Sequence, residues 1–232
     1  SRLRAHAGRS TLGTFNMVFN FESTIRLPLA VQTTLGFTTP LHAVLIAAIY
    51  FREKVGIWRW SAVLLGFAGV LVVARPGGAA IDTIGAVMAL ISAFLIAVIN
   101  YQIRDLGKTE TPVCVVFWFA VIGSLLTAPI LPFVMTRHSL LQWGLLAALG
   151  TSGTVCQLML TASLRYAKVS NIIAIDYTTL VWATVYSWLI WDSLPHGSTF
   201  IGAPLIIAAG IIIAWRQHRL ARDVALSPIE GY

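Results

Sequence analysis

Eight apolar stretches, each long enough to cross a bilayer, follow one another with only short connections between them: 11–27, 29–51, 57–74, 82–103, 112–135, 140–164, 169–191 and 197–215. About 20 mainly apolar residues span the hydrocarbon core. Inside it every backbone N–H and C=O must find its partner within the protein, which a helix achieves by itself. The expected fold class is therefore an all-α membrane protein, a polytopic helical bundle with no inserted soluble domain. The composition agrees, with 57% hydrophobic residues, 11% charged residues and a mean hydropathy of +0.81.

The stretch from Arg26 to Glu53 occurs a second time, degraded, from Arg165 to Asp192. A shift of 139 positions lays Arg26 on Arg165, Thr39 on Thr178, Leu41 on Leu180 and Glu53 on Asp192, and a slip of two residues brings Gly69 onto Gly210. Under this offset the two spans within 82–138 have no counterpart in the first copy, so about 57 residues are expected before Ser1. The expected organisation is three helices of a first repeat in 1–75, a complete five-helix repeat in 76–218 and a tail in 219–232. This gives eight of ten spans, and an odd number of spans per repeat makes the repeats inverted.

The net charge of +7 is a topology signal. Of the 16 Lys and Arg, only Arg26, Arg75 and Arg137 fall on one side of the predicted membrane, and the remaining thirteen fall on the other. That asymmetry places both termini in the cytoplasm by the positive-inside rule. It excludes reading the basic balance as a nucleic-acid footprint. Cys114 and Cys156 lie within predicted spans and are expected as free, packed thiols. No CxxC or HExxH spacing points to a metal, and no cofactor is expected.

Polar residues at membrane depth carry the functional expectations, because burying them in lipid is costly. Span 11–27 holds Asn16, Asn20 and Glu22. Glu22 either pairs with Arg26, four residues on in the favoured order, or faces a wet cavity. Its repeat counterpart Thr161 extends a polar stripe with Thr154 and Gln157 on span 140–164. In span 29–51, Pro40 removes one intrahelical hydrogen bond and frees carbonyls near mid-membrane. Interrupted helices at matching places in two halves mark transporter binding sites, and here the first copy has the proline where the second has Thr179. Thr34, Thr38 and His42 share one face at spacings of four, with His42 either a proton or substrate group or a histidine hydrogen-bonded within the bundle.

Asp176 lies seven residues, about 10 Å, from the cytoplasmic end of span 169–191 and has no basic residue three or four positions away. It is expected to carry a proton or hold an amine, with Tyr177 beside it and Thr179, Ala183 and Tyr186 or Ser187 along its face; a hydrogen-bonded structural Asp is the other reading. Small residues in span 57–74, namely Ser61, Gly66 and Gly69, predict a closely packed helix. The string Gly150-Thr151-Ser152-Gly153 resembles the nucleophile motif of rhomboid proteases, but the histidines after it are His196 in a turn and His218 in the tail. It is therefore expected to serve helix packing.

The string LPLAxxxxLxFTxPL, followed by RE-KV and RW-AVLLGFAGVLVVARP, resembles the EamA-type transporters of the drug/metabolite transporter superfamily. IDYTTLVWATVYSWLIWDSLP with IGAPLIIAAG in the second copy is similar to the same family, in particular to members likened to S-adenosylmethionine uptake carriers. The resemblance implies ten helices in two inverted five-helix repeats. It also implies secondary transport of a small metabolite across the bacterial inner membrane by alternating access, without enzymatic activity. The cargo expected is amino-acid-like, an amine, a sulfonium compound or a drug. Asp176, Glu22, Thr179, Tyr177, Gln157, Thr161, His42 and Pro40 are the expected substrate-binding residues. Besides the cargo, the expected partners are the lipid bilayer, with proton coupling and a homodimer left open, and no nucleic acid. A non-transporting membrane scaffold is the alternative outside the transporter class.

Overall fold

The computed structural model describes residues 2–50, 52, 56–74, 81–166, 178–192 and 197–226. Every regular element among them is a helix: α1 (Leu3–Arg26), α2 (Leu29–Gly36), α3 (Thr39–Ile49), α4 (Ile57–Ala74), α5 (Thr83–Leu106), α6 (Pro112–Thr127), α7 (Leu131–Val134), α8 (Leu140–Tyr166), α9 (Thr178–Trp191) and α10 (Gly197–Leu226). Four are long and apolar enough to cross a membrane: Leu29–Ile49, counting α2 and α3 as one path, Thr83–Leu106, Leu140–Ser163 and Gly197–Arg216. Ile57–Val73 and Pro112–Thr127 are shorter apolar helices. The protein is an all-α polytopic helical bundle.

Prolines set two of the boundaries. The predicted span 112–135 starts with Pro112 in the first turn of α6, where its missing N–H costs nothing and the Thr111 hydroxyl accepts from the Cys114 N–H. It breaks after Thr127: Ala128 still has helical backbone, but Pro129 has no N–H to donate to the Leu125 carbonyl one turn back, and only the four-residue α7 follows. Span 29–51 is likewise two helices, with Phe37 and Thr38 between them. Pro40 sits in the first turn of α3 and cannot donate to the Gly36 carbonyl one turn back. The Thr39 hydroxyl donates to that carbonyl at 2.8 Å, and the Thr38 hydroxyl donates to the Leu35 carbonyl at 2.7 Å.

The chain divides into two compact units. One comprises the described residues of 1–16 and 99–167, the other those of 17–98 and 168–232. In the second unit α4 packs along α10, α9 against α2, and α3 and α2 contact both α4 and α10. Leu27, Val31, Leu35, Val70, Val73 and Ile206 form one apolar cluster, and Leu41, Val44, Ala62, Val63, Ala209 and Ile213 form another. These pairings make α4 and α10 antiparallel. They cross at Gly69 and Gly202: a Cβ on Gly202 would lie 2.6 Å from the Gly69 carbonyl oxygen and would overlap Val73. Gly66 admits Leu41 in the same way, so Gly66 and Gly69 pack as expected while Ser61 is exposed.

In the first unit α6 packs on α8. The start of α1 turns a stripe inward at the i, i+3, i+4, i+7 spacing of a buried helix face. Its members are His6, Arg9, Ser10 and Gly13, three of them polar. Ile99, Ile103, Leu106, Val115 and Val116 supply apolar burial in this unit.

Candidate functional site

The polar stripe of α1 is the most unusual feature of the molecule, because it buries a cation. Arg9 is 2% exposed. Its Nη2 donates to Gln157 Oε1 at 3.0 Å, and its guanidinium carbon stands 3.8 Å from the centroid of the Phe119 ring. Gly13 makes room for that ring, since a Cβ there would come within 2.7 Å of it. Cation–π contact and one hydrogen bond stabilise the guanidinium in part. Nε and Nη1, however, are buried without a hydrogen-bond partner among the described residues. Among those residues no carboxylate pairs with Arg9. A buried charge left without its counter-ion is unfavourable by several kcal/mol. The unused N–H donors, on Nε along one edge of the guanidinium and on Nη1 at its end, suit anionic oxygen acceptors such as those of a carboxylate or phosphate. Arg9 lies outside the predicted span 11–27, and burial lowers its pKa to about 10, so it stays a cation at neutral pH.

The same unit holds further buried polar atoms with spare capacity. Thr161, one turn beyond Gln157 on α8, is 2% exposed with its hydroxyl unpartnered among the described residues. The buried Gln102 Oε1 is in the same state. Ser10 donates to the Trp118 carbonyl at 3.4 Å. Buried donors and acceptors left unfilled by protein groups make this set a candidate ligand site.

The residues singled out from the sequence distribute as follows. Gln157 accepts from Arg9, and Thr161 is buried one turn further along α8. Glu22 pairs with Arg26 at 3.2 Å, and Arg26 also reaches Asp82 at 3.6 Å. These are half-exposed side chains in the second unit. Asn20 donates from Nδ2 to the Ser92 hydroxyl at 3.4 Å. Thr34, Thr38 and His42 are all buried on the face expected for them, beside the break at Pro40. The His42 ring meets Phe67 and Phe94 edge to face, each at 5.9 Å between centroids. Thr179 is exposed on α9, and Tyr186 is also exposed, stacked on Trp182. Ala183 and Ser187 of the same helix are buried. Asp176, Tyr177 and Glu53 lie outside the described residues.

Arg9 was not among the residues expected to act. Sequence reasoning counted it with the charges that set topology, although the spacing of His6, Arg9, Ser10 and Gly13 carried the signal of a buried face. Both cysteines are free, as expected, but they are not buried apolar groups: Cys114 donates to Glu110 at 3.4 Å, and Cys156 is exposed. Gly150 and Gly153 have no atom within 4 Å of where a Cβ would stand, so the packing expected of this string is not met among the described residues. Ser152 is exposed and donates to the Leu149 carbonyl within its own helix.

Comparison with known proteins agrees with the membrane fold. A solved crystal structure superposes with a TM-score of 0.60 at 20% identity, covering 90% of this chain and 76% of the other. A pseudopaline exporter of Pseudomonas aeruginosa is 26% identical over 208 residues, 89% of this chain and 73% of the relative. An S-adenosylmethionine uptake transporter of Rickettsia bellii is 24% identical over 222 residues, 94% of this chain and 75% of the relative. A riboflavin transporter of Vibrio cholerae is 24% identical over 201 residues, 85% of this chain and 66% of the relative. The family model for the EamA-like transporters matches residues 2–75 and again 83–215. With nearly its whole length matched, the chain belongs to the EamA-like transporter family.

Proposed function

We propose that this protein is a secondary transporter that carries a small, carboxylate-bearing, amino-acid-like metabolite across the bacterial inner membrane by alternating access. The relatives are named for three chemically different cargoes, so membership of the family leaves the cargo open and the site must supply it. Arg9 is the observation that carries the reading: a guanidinium 2% exposed, with Nε and Nη1 unpartnered among the described residues and Nη2 held by Gln157. An anionic group from the cargo would supply the counter-ion the protein does not. The separate matches to 2–75 and 83–215 support two repeats, in 1–75 and 76–218. The helix break at Pro40 and the lack of a phosphate-binding loop motif support rocking-type transport without ATP hydrolysis. The distribution of Lys and Arg supports cytoplasmic termini. Asp176 is the carboxylate we assign to proton exchange or to an amine. Glu22 takes part in that chemistry only by giving up Arg26.

The test is ligand-dependent thermal stabilisation of the whole purified protein by carboxylates and their matched amides, followed by flux into liposomes. A ligand at 100 times its Kd adds about 2.7 kcal/mol of stability. Stabilisation by the acid and not the amide, lost in Arg9→Gln and weakened in Arg9→Lys, is the expected result. Equal stabilisation by acid and amide, or an undiminished response in Arg9→Gln, would overturn the assignment. Loss of pH-dependent flux in Asp176→Asn, with carboxylate binding retained, is the expected sign of the second role.

A further inference from the structure

We propose that His6, Glu110 and Cys114 form a binding site for a divalent transition-metal ion of the zinc class. The proposal is independent of the cargo assigned to Arg9. The three residues offer one nitrogen, one oxygen and one sulfur ligand, and their ligating atoms all lie within 4.8 Å of one another. Two of the three separations already match a loaded site. Cys114 Sγ is 3.4 Å from Glu110 Oε2, and His6 Nε2 is 3.8 Å from Glu110 Oε1. Tetrahedral ligands at the usual Zn–N, Zn–O and Zn–S bond lengths stand about 3.3–3.8 Å apart.

His6 is the independent sign that a ligand belongs here. Its ring is wholly buried, yet neither ring nitrogen has a hydrogen-bond partner among the described residues. Its nearest ring neighbour is Trp118, at 6.1 Å between centroids, and gives packing only. An imidazole that has lost water at both nitrogens and gained nothing is costly. A metal bond at Nε2 would satisfy the nitrogen that faces Glu110.

The local fold places the other two ligands. Glu110 ends the turn after α5, and Cys114 stands in the first turn of α6, held by the Thr111 cap. A Cys ligand binds as the thiolate, the form that a bound metal cation itself stabilises. The neighbouring cations are already engaged: Arg2 and Lys108 contact Asp105 at 2.6 Å and 3.4 Å. On binding, the metal takes the place of the thiol proton now donated to Glu110, and that proton leaves to solvent. Mixed N, O and S ligation selects zinc, cobalt and their neighbours over magnesium or calcium. Three protein ligands leave a fourth position for water or another donor. The bound ion would clip α1 to the α5–α6 corner. With 104 positions separating His6 from Glu110, no short motif in the sequence could announce it.

Metal-stripped, tag-free whole protein in detergent is titrated with Co2+ alone, and the absorbance is read. The expected result is a thiolate-to-cobalt charge-transfer band at one equivalent, displaced by Zn2+. The band is abolished in Cys114→Ser and unchanged in Cys156→Ser, and Co2+ affinity falls at least about 100-fold in His6→Asn. A companion measurement on the unsubstituted protein guards against variants that fail to fold. Zn2+ should slow maleimide labelling of Cys114 at least about tenfold while the exposed Cys156 reacts at its original rate. No charge-transfer band, a band that follows Cys156 instead, or no Zn2+ protection of Cys114 would each overturn the proposal.

Discussion

Helices α8 and α10 are both long enough to cross a bilayer and both carry glycine, yet they are covered very differently. The apolar window of Leu140–Ser163 is 6% buried, and that of Gly197–Arg216 is 44% buried. In α10, Gly202 meets the backbone of Gly69, and the two helices approach until a single Cβ would not fit. In α8, Gly144, Gly150 and Gly153 face open space among the described residues. Lipid tails are as apolar as leucine, so no hydrophobic drive forces such helices together. Close packing needs a complementary surface on a partner, and a small residue supplies only half of it.

The sharpest way to break this contrast is to load the two helices equally. Gly202→Leu should lower the thermal stability of the detergent-solubilised protein by about 3 kcal/mol or more, since a backbone carbonyl cannot move aside. Gly150→Leu should change it by less than about 0.5 kcal/mol. Equal losses would show that α8 is as covered as α10. Alanine probes the same contrast more gently. Gly66→Ala pushes on the flexible Leu41 side chain and should cost about 1 kcal/mol, whereas Gly153→Ala should gain about 0.5 kcal/mol from lower backbone entropy. Hydroxyls extend the contrast to hydrogen bonding. Thr39→Val removes the donor to the carbonyl that Pro40 leaves unpaired and should cost about 1 kcal/mol in thermal melts. Thr151→Val removes a hydroxyl that only doubles an ordinary helical bond to the Ala147 carbonyl and should cost almost nothing. The smallest effect belongs to Glu22→Gln. Its pair with Arg26 joins side chains 46% and 38% exposed, and the expected stability change is below about 0.5 kcal/mol.

These contrasts also mark what the sequence could convey. Apolar length located the helices at 29–49, 57–74, 83–106, 140–166 and from 197 onward. The chemistry of proline located the break before Pro40, because it is a local effect of one ring. The i, i+4 order of Glu22 and Arg26 offered their pairing as one of two readings, and of the stripe on α8 Gln157 is half-buried and Thr161 buried while Thr154 is exposed. What stayed hidden depended on contacts distant in sequence. Arg9 looked like a boundary charge because its burial is created by Phe119 and Gln157, more than 100 positions away. The glycines of α8 looked like packing glycines because their composition is the same as that of glycines that do pack. The approach of His6 to Glu110 and Cys114 arises where the start of α1 meets the α5–α6 corner, and no local pattern encodes it.

Helix α10 is longer than a bilayer is thick. Its 30 residues make a rod about 45 Å long, against a hydrocarbon thickness of about 30 Å. A single continuous helix therefore runs from lipid into the aqueous phase, with Arg219 resting over the Trp215 ring at 4.5 Å near the point of emergence. Pro204 removes one helical hydrogen bond near the start, and the 22 residues beyond it make a lever about 33 Å long: a tilt of about 10° at Pro204 swings Leu226 by about 6 Å. A spin label placed near Leu226 would thus act as a pointer, converting small reorientations inside the bilayer into displacements large enough to time in solution.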